Sequence, residues 1–346
     1  MATIEAATGR SAARPVGTNP WYLYETGVPA HTPEHLRDRL ARFLRDGYVI
    51  LEDSVSAETC NLVRDEFWKL VKDNPQLFDK HKDANGHFPR LVNLHAVMPS
   101  LLKLFYENKA ALEMQDALFG EETVLYTSLF YERGSWQDLH RDTPYFATRP
   151  EYKYFGMWVA LEDVDETNGP LMVAPGGHLL KELDREAMAR ELYSDLNSLP
   201  ADSAELWERY QSAVGNQVSA AGIATITVPV KKGSTIIWHP HLPHGGSPIK
   251  DLTRTRLSLV IHTTPRGTPV YHHDAFFHPS KDFPTKARWS VDPVGGRRYV
   301  PYYTMSFGHS DPHPVSDFKG LGTLTPHKAV DRVLRFVEKV QRKIAR

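Results

Sequence analysis

The sequence predicts a mainly β fold with flanking helices, a sandwich or jelly-roll barrel, and three observations carry that prediction. Beyond Gly120, six short runs rich in β-branched and aromatic residues follow one another, "TVLYTSLFYE", "YKYFGMWVALEDV", "GPLMVAPGG", "ATITVPV", "GSTIIWHPHLPH" and "TRLSLVIHTTP", divided by Gly, Pro, Asp or Asn. Their spacing is irregular, which a sandwich or jelly roll tolerates and a parallel α/β sheet does not. The first 120 residues carry helical periodicity instead.

Taken in order, residues 1–31 are small and polar at their start and are expected to form a flexible arm. From Thr32 to Arg45, Leu36, Leu40 and Leu44 recur every four residues after a Thr-Pro start, which predicts an amphipathic helix capped by Thr32. "GYVILEDSV" reads as a strand. A second helix is expected from Ser56 to Val71, opened by Ser-x-x-Thr and carrying apolar Leu62, Phe67 and Leu70, and a third from Pro99 to Leu118, ended by Gly120. The β core is then expected over 121–265, interrupted at about 180–215 by a charged helical stretch that is either a surface insertion or a lid. Residues 266–346 begin as a long segment dense in His, Pro and aromatics; irregular stretches of that length are often functional. A basic amphipathic helix from Pro326 to Ile344 closes the chain. Residues 32–346 are expected to make one domain.

With 41 Lys and Arg against 42 Asp and Glu, the net charge of −1 gives no general attraction for nucleic acid or an anionic membrane. A small-molecule substrate fits better, and the charge pattern is silent on oligomeric state. The single cysteine, Cys60, excludes an intramolecular disulfide and a thiolate cluster, so any metal must be held by His, Asp or Glu. The N-terminus has no continuous apolar core, and no run of about 18 apolar residues occurs anywhere. A cytoplasmic location is the expectation.

The chemistry centres on "SWQDLHRDTPYF". Residues i and i+2 of a strand point to one side, so His140 and Asp142 can reach one ion while Arg141 points away. A third ligand is available from "WHPHLPHGGSP", which holds His239, His241 and His244. Two His and one carboxylate with open positions form the ligand set of non-haem Fe(II) oxygenases, and zinc hydrolases use a related one. Downstream, "RTRLSLVIH" places an arginine at a strand start, where its fork suits a carboxylate beyond the metal.

With these residues on the page, the chain resembles the phytanoyl-CoA dioxygenase-like family of Fe(II) and 2-oxoglutarate-dependent oxygenases. The resemblance runs through "RDGYVILEDSVSAE", "LHRDTPYF", "WVALEDVDETNGPLMVAPGGH", "WHPHLPHGGSP" and "RTRLSLVIH", roughly residues 35 to 265. It implies a double-stranded β-helix core, jelly-roll and cupin-like, with Fe(II) at one end, 2-oxoglutarate and O₂ as co-substrates, and succinate as co-product. It assigns the metal to His140, Asp142 and His244, with His239 and His241 outside the motif position. For 2-oxoglutarate it points to Arg254, with Arg256 on the same strand face as the alternative, to Trp158, and to Ser258 (or Ser247) in place of a small polar residue that is Gly246 here. Related halogenases have Gly or Ala where Asp142 stands, so Asp142 implies hydroxylation or desaturation. Tyr131, Tyr145 and Phe146 beside the metal motif, with Arg288 and Trp289 from the late segment, are the candidate substrate contacts. His178 in "PGGH", and His272, His273 and His278, are read as structural or solvent-facing. Two other readings remain: a cupin-like metal isomerase or hydrolase, indifferent to 2-oxoglutarate, and a non-catalytic binding protein on the same barrel.

Overall fold

The computed structural model of the chain describes residues 21–23, 27–287, 289–308 and 311–320. Arg288, residues 1–20 of the expected arm and the expected helix from Pro326 to Ile344 lie outside them.

Two antiparallel sheets make the barrel, as expected for a double-stranded β-helix. The larger runs in the order Tyr48–Leu51, Thr235–Trp238, Phe155–Ala160, Ser258–Pro265, Thr123–Tyr131, Leu91–Val92, Thr304–Phe307 and Asp311–Pro314. The smaller runs Gln137–His140, His244–Gly246, Leu171–Val173 and Ile226–Val228. All six predicted runs supply strands.

The central strands of the larger sheet are buried on both faces, which explains why they read as unbroken apolar runs. Phe155, Met157, Val159, Leu259 and Ile261 join the outer core with the helices, whereas Trp158, Ala160 and Val260 join the inner core with Leu171, Val173 and Val228 of the smaller sheet. Alternate residues of one strand therefore serve two cores. Each large apolar side chain so buried is worth roughly 1.5–3 kcal/mol.

The flanking helices follow their periodicity, with differences at the ends. The first is Glu34–Asp46, its buried stripe Leu36, Leu40, Phe43 and Leu44, and Gly47 at φ 83° stops it. Pro33 rather than Thr32 precedes it, and no side chain caps it. In the second, Ala57–Asp73, Ser56 accepts the Thr59 N–H as expected. Leu62 of that helix is 45% exposed, and the buried apolar positions are Cys60, Val63, Phe67 and Leu70. The third is two helices, Pro99–Glu107 and Lys109–Phe119, because Asn108 leaves helical geometry and its buried Nδ2 donates to Thr235 Oγ1 at 2.7 Å. The 180–215 stretch forms Arg185–Arg190 and Ala204–Ala220, packed with Ala147, Ala275, Phe276 and Phe277 on a core of its own. Among the described residues no helix is long and apolar enough to cross a membrane.

Candidate metal centre

Strands Gln137–His140 and His244–Gly246 are neighbours in the smaller sheet, and His244 lies directly opposite His140, the ring centroids 4.6 Å apart. The two strands come so close that a Cβ on Gly245 would sit 2.4 Å from Gln137 O, and one on Gly246 2.5 Å from Ser135 Oγ. The Gly-Gly pair after the histidine is thus a condition of the pairing itself. Asp142 lies two residues beyond the strand end, immediately before the turn Thr143–Tyr145.

The two imidazoles are held alike. Nδ1 of His140 donates to Asp138 O at 2.8 Å and Nδ1 of His244 to Leu242 O at 3.0 Å, in each case the carbonyl two residues earlier. With Nδ1 held by a carbonyl, Nε2 is in each ring the nitrogen that can give its lone pair to a cation. These Nε2 atoms stand 3.5 and 3.3 Å from the two oxygens of Asp142, and the three residues offer ligand atoms all within 4.8 Å of one another. Burial alone would raise the Asp142 carboxyl, but the imidazoles of His244, His140 and His262 outweigh it and hold the group well below the usual carboxylate range. A carboxylate and two neutral imidazole nitrogens converging on one point fit an Fe(II) ion with positions left open.

Of the three histidines in "WHPHLPH", only His244 reaches this point. His241 gives Nδ1 to His178 O and has Nε2 3.2 Å from Glu182 Oε2; His239 Nδ1 accepts the His241 N–H; His178 Nε2 donates to Leu44 O. Arg141, between the two ligands in sequence, points away as strand geometry requires. It is fully buried, donating through Nε to His241 O at 2.9 Å and lying 3.5 Å from Glu182. Burial opposes the charge on Glu182, but His241, Arg141 and Arg185 prevail and hold it well below its ordinary value.

The centre opens into a cavity of some 280 Å³ lined by His140, Asp142 and His244, and by Tyr131, Tyr145, Phe146, Trp158 and Arg256 among the expected residues. The structure separates the two arginines, Arg256 lining the cavity and Arg254 not. Arg254 lies outside the cavity, in a surface turn, with Nη1 2.6 Å from Asp165 and 2.7 Å from Thr167 Oγ1. Arg256 is 3% exposed, faces the rings of Trp158 and Tyr131, and spends Nη1 on Gly169 O and Nη2 on Arg133 O. No carboxylate lies within ion-pair reach of it among the described residues, its Nε has no partner, and burial lowers its pKa to about 10. Trp158 Nε1 and Ser258 Oγ are likewise buried without partners, Ser258 two residues before lining Val260 on the same strand. Trp289 packs on Tyr126 but lines a separate cleft with Tyr271 and Pro284.

Several lining residues escaped sequence reasoning, His262, Trp207, Arg90 and Tyr302 among them. His262 donates from Nε2 to Asp142 Oδ2 at 3.1 Å and stacks on Phe146 at 3.7 Å; it shares the strand parity of Arg256 and Ser258, which was the available signal. Trp207 comes from the inserted helix and lies 4.9 Å from the Tyr145 ring, so the insertion walls the site. Half-buried Arg90 and Tyr302 carried no signal in their own segments.

A jelly roll with two histidines and one aspartate at its mouth defines a class, the non-haem iron dioxygenases that use 2-oxoglutarate. Within it, the pattern described as phytanoyl-CoA dioxygenase (PhyH) matches residues 43–256, and the chain belongs to that family. It is 24% identical to the ectoine dioxygenase of Sphingopyxis alaskensis over 227 residues, 60% of this chain and 69% of that one. It is 23% identical to phytanoyl-CoA dioxygenase domain-containing protein 1 of Bos taurus over 294 residues, 71% and 96%. The match to the peroxisomal phytanoyl-CoA dioxygenase of Bos taurus, 28% identical, spans 33% of this chain and only 29% of that enzyme. In fold the chain is similar to the non-heme alpha ketoglutarate dependent carbocyclase SnoK from nogalamycin biosynthesis, with a TM-score of 0.53 and 15% identity over 79% of this chain and 100% of that one. The epimerase SnoN, solved with Fe3+, alpha ketoglutarate and nogalamycin RO, gives 0.52 and 19% over 78% and 100%.

Proposed function

We propose that this single-domain chain hydroxylates or desaturates a small molecule, with 2-oxoglutarate decarboxylated to succinate and CO₂. One observation carries the reading: the cavity that holds His140, Asp142 and His244 also holds Arg256, a buried guanidinium that pairs with no carboxylate among the described residues. A buried cation without a counter-ion is costly unless a ligand supplies the anion.

In this reading Nε2 of His140, Nε2 of His244 and the Asp142 carboxylate would hold Fe(II) on one face. Arg256 would meet the far carboxylate of 2-oxoglutarate, with Trp158 Nε1 and Ser258 Oγ as the unpartnered donors of the same wall. When bound, iron and 2-oxoglutarate supply the oxidising chemistry that reduces O₂ at the expense of a C–H bond. The chain's own work is to orient and to exclude water. His262 donates to Asp142 and so fixes the carboxylate's orientation. Tyr145, Phe146 and Trp207 present ring faces to a carbon skeleton, and Arg90 gives the lining a cation for an acidic group on the substrate. With Asp142 in place, hydroxylation or desaturation is favoured over halogenation, because the carboxylate takes the position a halide would need.

The test is anaerobic titration of the full chain with Fe(II) and 2-oxoglutarate, following the visible charge-transfer band. A band in wild type that disappears in Asp142→Ala and needs much more 2-oxoglutarate in Arg256→Leu supports the reading, and a metabolite screen by succinate release then identifies the substrate. No band in wild type, or turnover of a substrate that ignores 2-oxoglutarate, refutes it.

A further inference from the structure

A second convergence of ligands lies away from the cavity. His81 ends the short turn Asp79–His81 of the helical layer, and Asp311 and His313 lie on the edge strand Asp311–Pro314 of the larger sheet. Asp311 and His313 are i and i+2 on a strand, the spacing of His140 and Asp142 in reverse order, so both project from one face. The third group comes from a part of the chain remote in sequence, as His244 does at the first centre. Nε2 of His81 is 3.1 Å and Nε2 of His313 3.3 Å from the same oxygen, Asp311 Oδ2, and the three residues offer ligand atoms within 4.8 Å of one another.

Two details set this cluster apart from an ordinary surface ion pair. Its imidazoles are largely buried, the side chains 16% and 10% exposed, and both pack on Phe307: His81 stacked at 4.0 Å, His313 edge-on at 5.5 Å. The core ring of Phe307 therefore fixes their directions. And Nε2 of His81, buried and 3.1 Å from a carboxylate oxygen, is not aligned to hydrogen-bond with it and has no other hydrogen-bond partner. An imidazole nitrogen set beside a carboxylate but aimed past it is placed to share a ligand with that carboxylate. Asp311 is 46% exposed, which leaves a route for an ion and room for water in the remaining positions.

The geometry points to a second metal site, in which His81, Asp311 and His313 bind a divalent transition ion of the zinc type. Two neutral imidazoles and one carboxylate suit such an ion, and a tetrahedral ion would complete its shell with water. The site joins segments 230 residues apart, 311 against 81. Its strand pairs with Thr304–Phe307, which pairs with Leu91–Val92 beside the cavity-lining Arg90 and follows the cavity-lining Tyr302. The ion would thus tie the turn Asp79–His81 to the edge strand, beside stretches that wall the cavity, as a structural clip rather than a catalytic group.

The experiment is metal stoichiometry on the full chain, tag removed, with Zn²⁺ as the probe and Co²⁺ as its spectroscopic stand-in. The wild type should bind two equivalents, the double variant His140→Ala and His244→Ala one, and that variant with Asp311→Asn none. Asp311 is exposed, so Asp311→Asn tests the site without threatening the fold, and His81→Gln is the second arm. In the His140→Ala and His244→Ala background, Co²⁺ should still give ligand-field bands in the visible, and Asp311→Asn or His81→Gln should remove them. One equivalent in wild type, or a second equivalent that survives both Asp311→Asn and His81→Gln, overturns the proposal.

Discussion

Two histidine clusters sit almost back to back in this molecule and come from overlapping sequence. His140 and His244 face the cavity; His178, His239 and His241 lie behind them, around Arg141 and Glu182. All five rings are buried. The difference is in the second nitrogen. At the centre each Nδ1 is taken by a carbonyl and each Nε2 faces an oxygen of Asp142, at 3.5 and 3.3 Å. Behind it, His241 spends both nitrogens on the protein, and Glu182 is shared among Tyr152, Tyr210, Arg141 and His241. His178 and His239 also stop at one partner, so what marks His140 and His244 as ligands is that the second nitrogen of each faces the same carboxylate.

That contrast can be broken in order of effect on the centre. Replacing Asp142 or His244 by Ala should abolish iron-dependent succinate release and the charge-transfer band together, since two ligands cannot hold the ion. Arg256→Leu should raise KM for 2-oxoglutarate about tenfold to a hundredfold, the loss of charge-assisted hydrogen bonds worth roughly 1.5–3 kcal/mol, while Arg254→Ala should change it less than about twofold. A larger effect at Arg254 would return the co-substrate role to the surface turn. His262→Phe keeps the stack on Phe146 but removes the donor to Asp142, and should weaken iron affinity by about tenfold, read by competition with a chelator. Glu182→Gln belongs to the other cluster. It leaves buried Arg141 without its anion, so unfolding free energy should fall by about 3 kcal/mol in a denaturant titration while iron affinity of the folded protein stays within about twofold.

The same buried rings set a pH dependence of stability. Burial lowers His178, His95 and His273 to about 4 against an ordinary value of 6.5. A group whose folded pKa is depressed is neutral in the fold and takes up its proton more readily when unfolded, so its contribution is complete above about pH 6.5 and is lost as pH falls toward 4. Glu182 acts with the same sign, below its ordinary 4.5. The denaturation midpoint should therefore be level between pH 7 and 8 and decline steadily from 6.5 downward; a midpoint that rises on acidification contradicts neutral burial.

Much of this was legible in the sequence, and the exceptions have physical reasons. The i, i+2 rule placed His140 and Asp142 together, because strand geometry is local. It could not rank Arg254 against Arg256, which share a parity; the decision lies in the turn before the strand, where Asp165 and Thr167 claim Arg254 from another loop. Nor could it see that Asn108 would break a helix to reach Thr235, since that partner is remote in sequence. The late segment read as irregular, yet Asp292–Val294 and Arg297–Tyr299 form a hairpin there. Its turn is Gly295-Gly296, with φ of 54° and 79°, the positive pair a two-residue hairpin demands, and that dipeptide was the signal passed over. The insertion's charged face was plain, but that Trp207 would wall the cavity depended on how its helix docks.

That docking has one more effect. Gln137–His140 is the outermost strand of its sheet, and where it ends the Gln211 carboxamide of the inserted helix accepts from Arg141 N–H at 2.9 Å and donates to Arg141 O at 3.0 Å. A side chain there does the work of an absent neighbouring strand. Outer strands with open backbone groups are templates on which other chains stack, and this one bears the very residues that must stay accessible to a small ion. The helix that narrows the cavity also covers this end of the barrel, so nicking the chain between residues 191 and 203 should increase self-association.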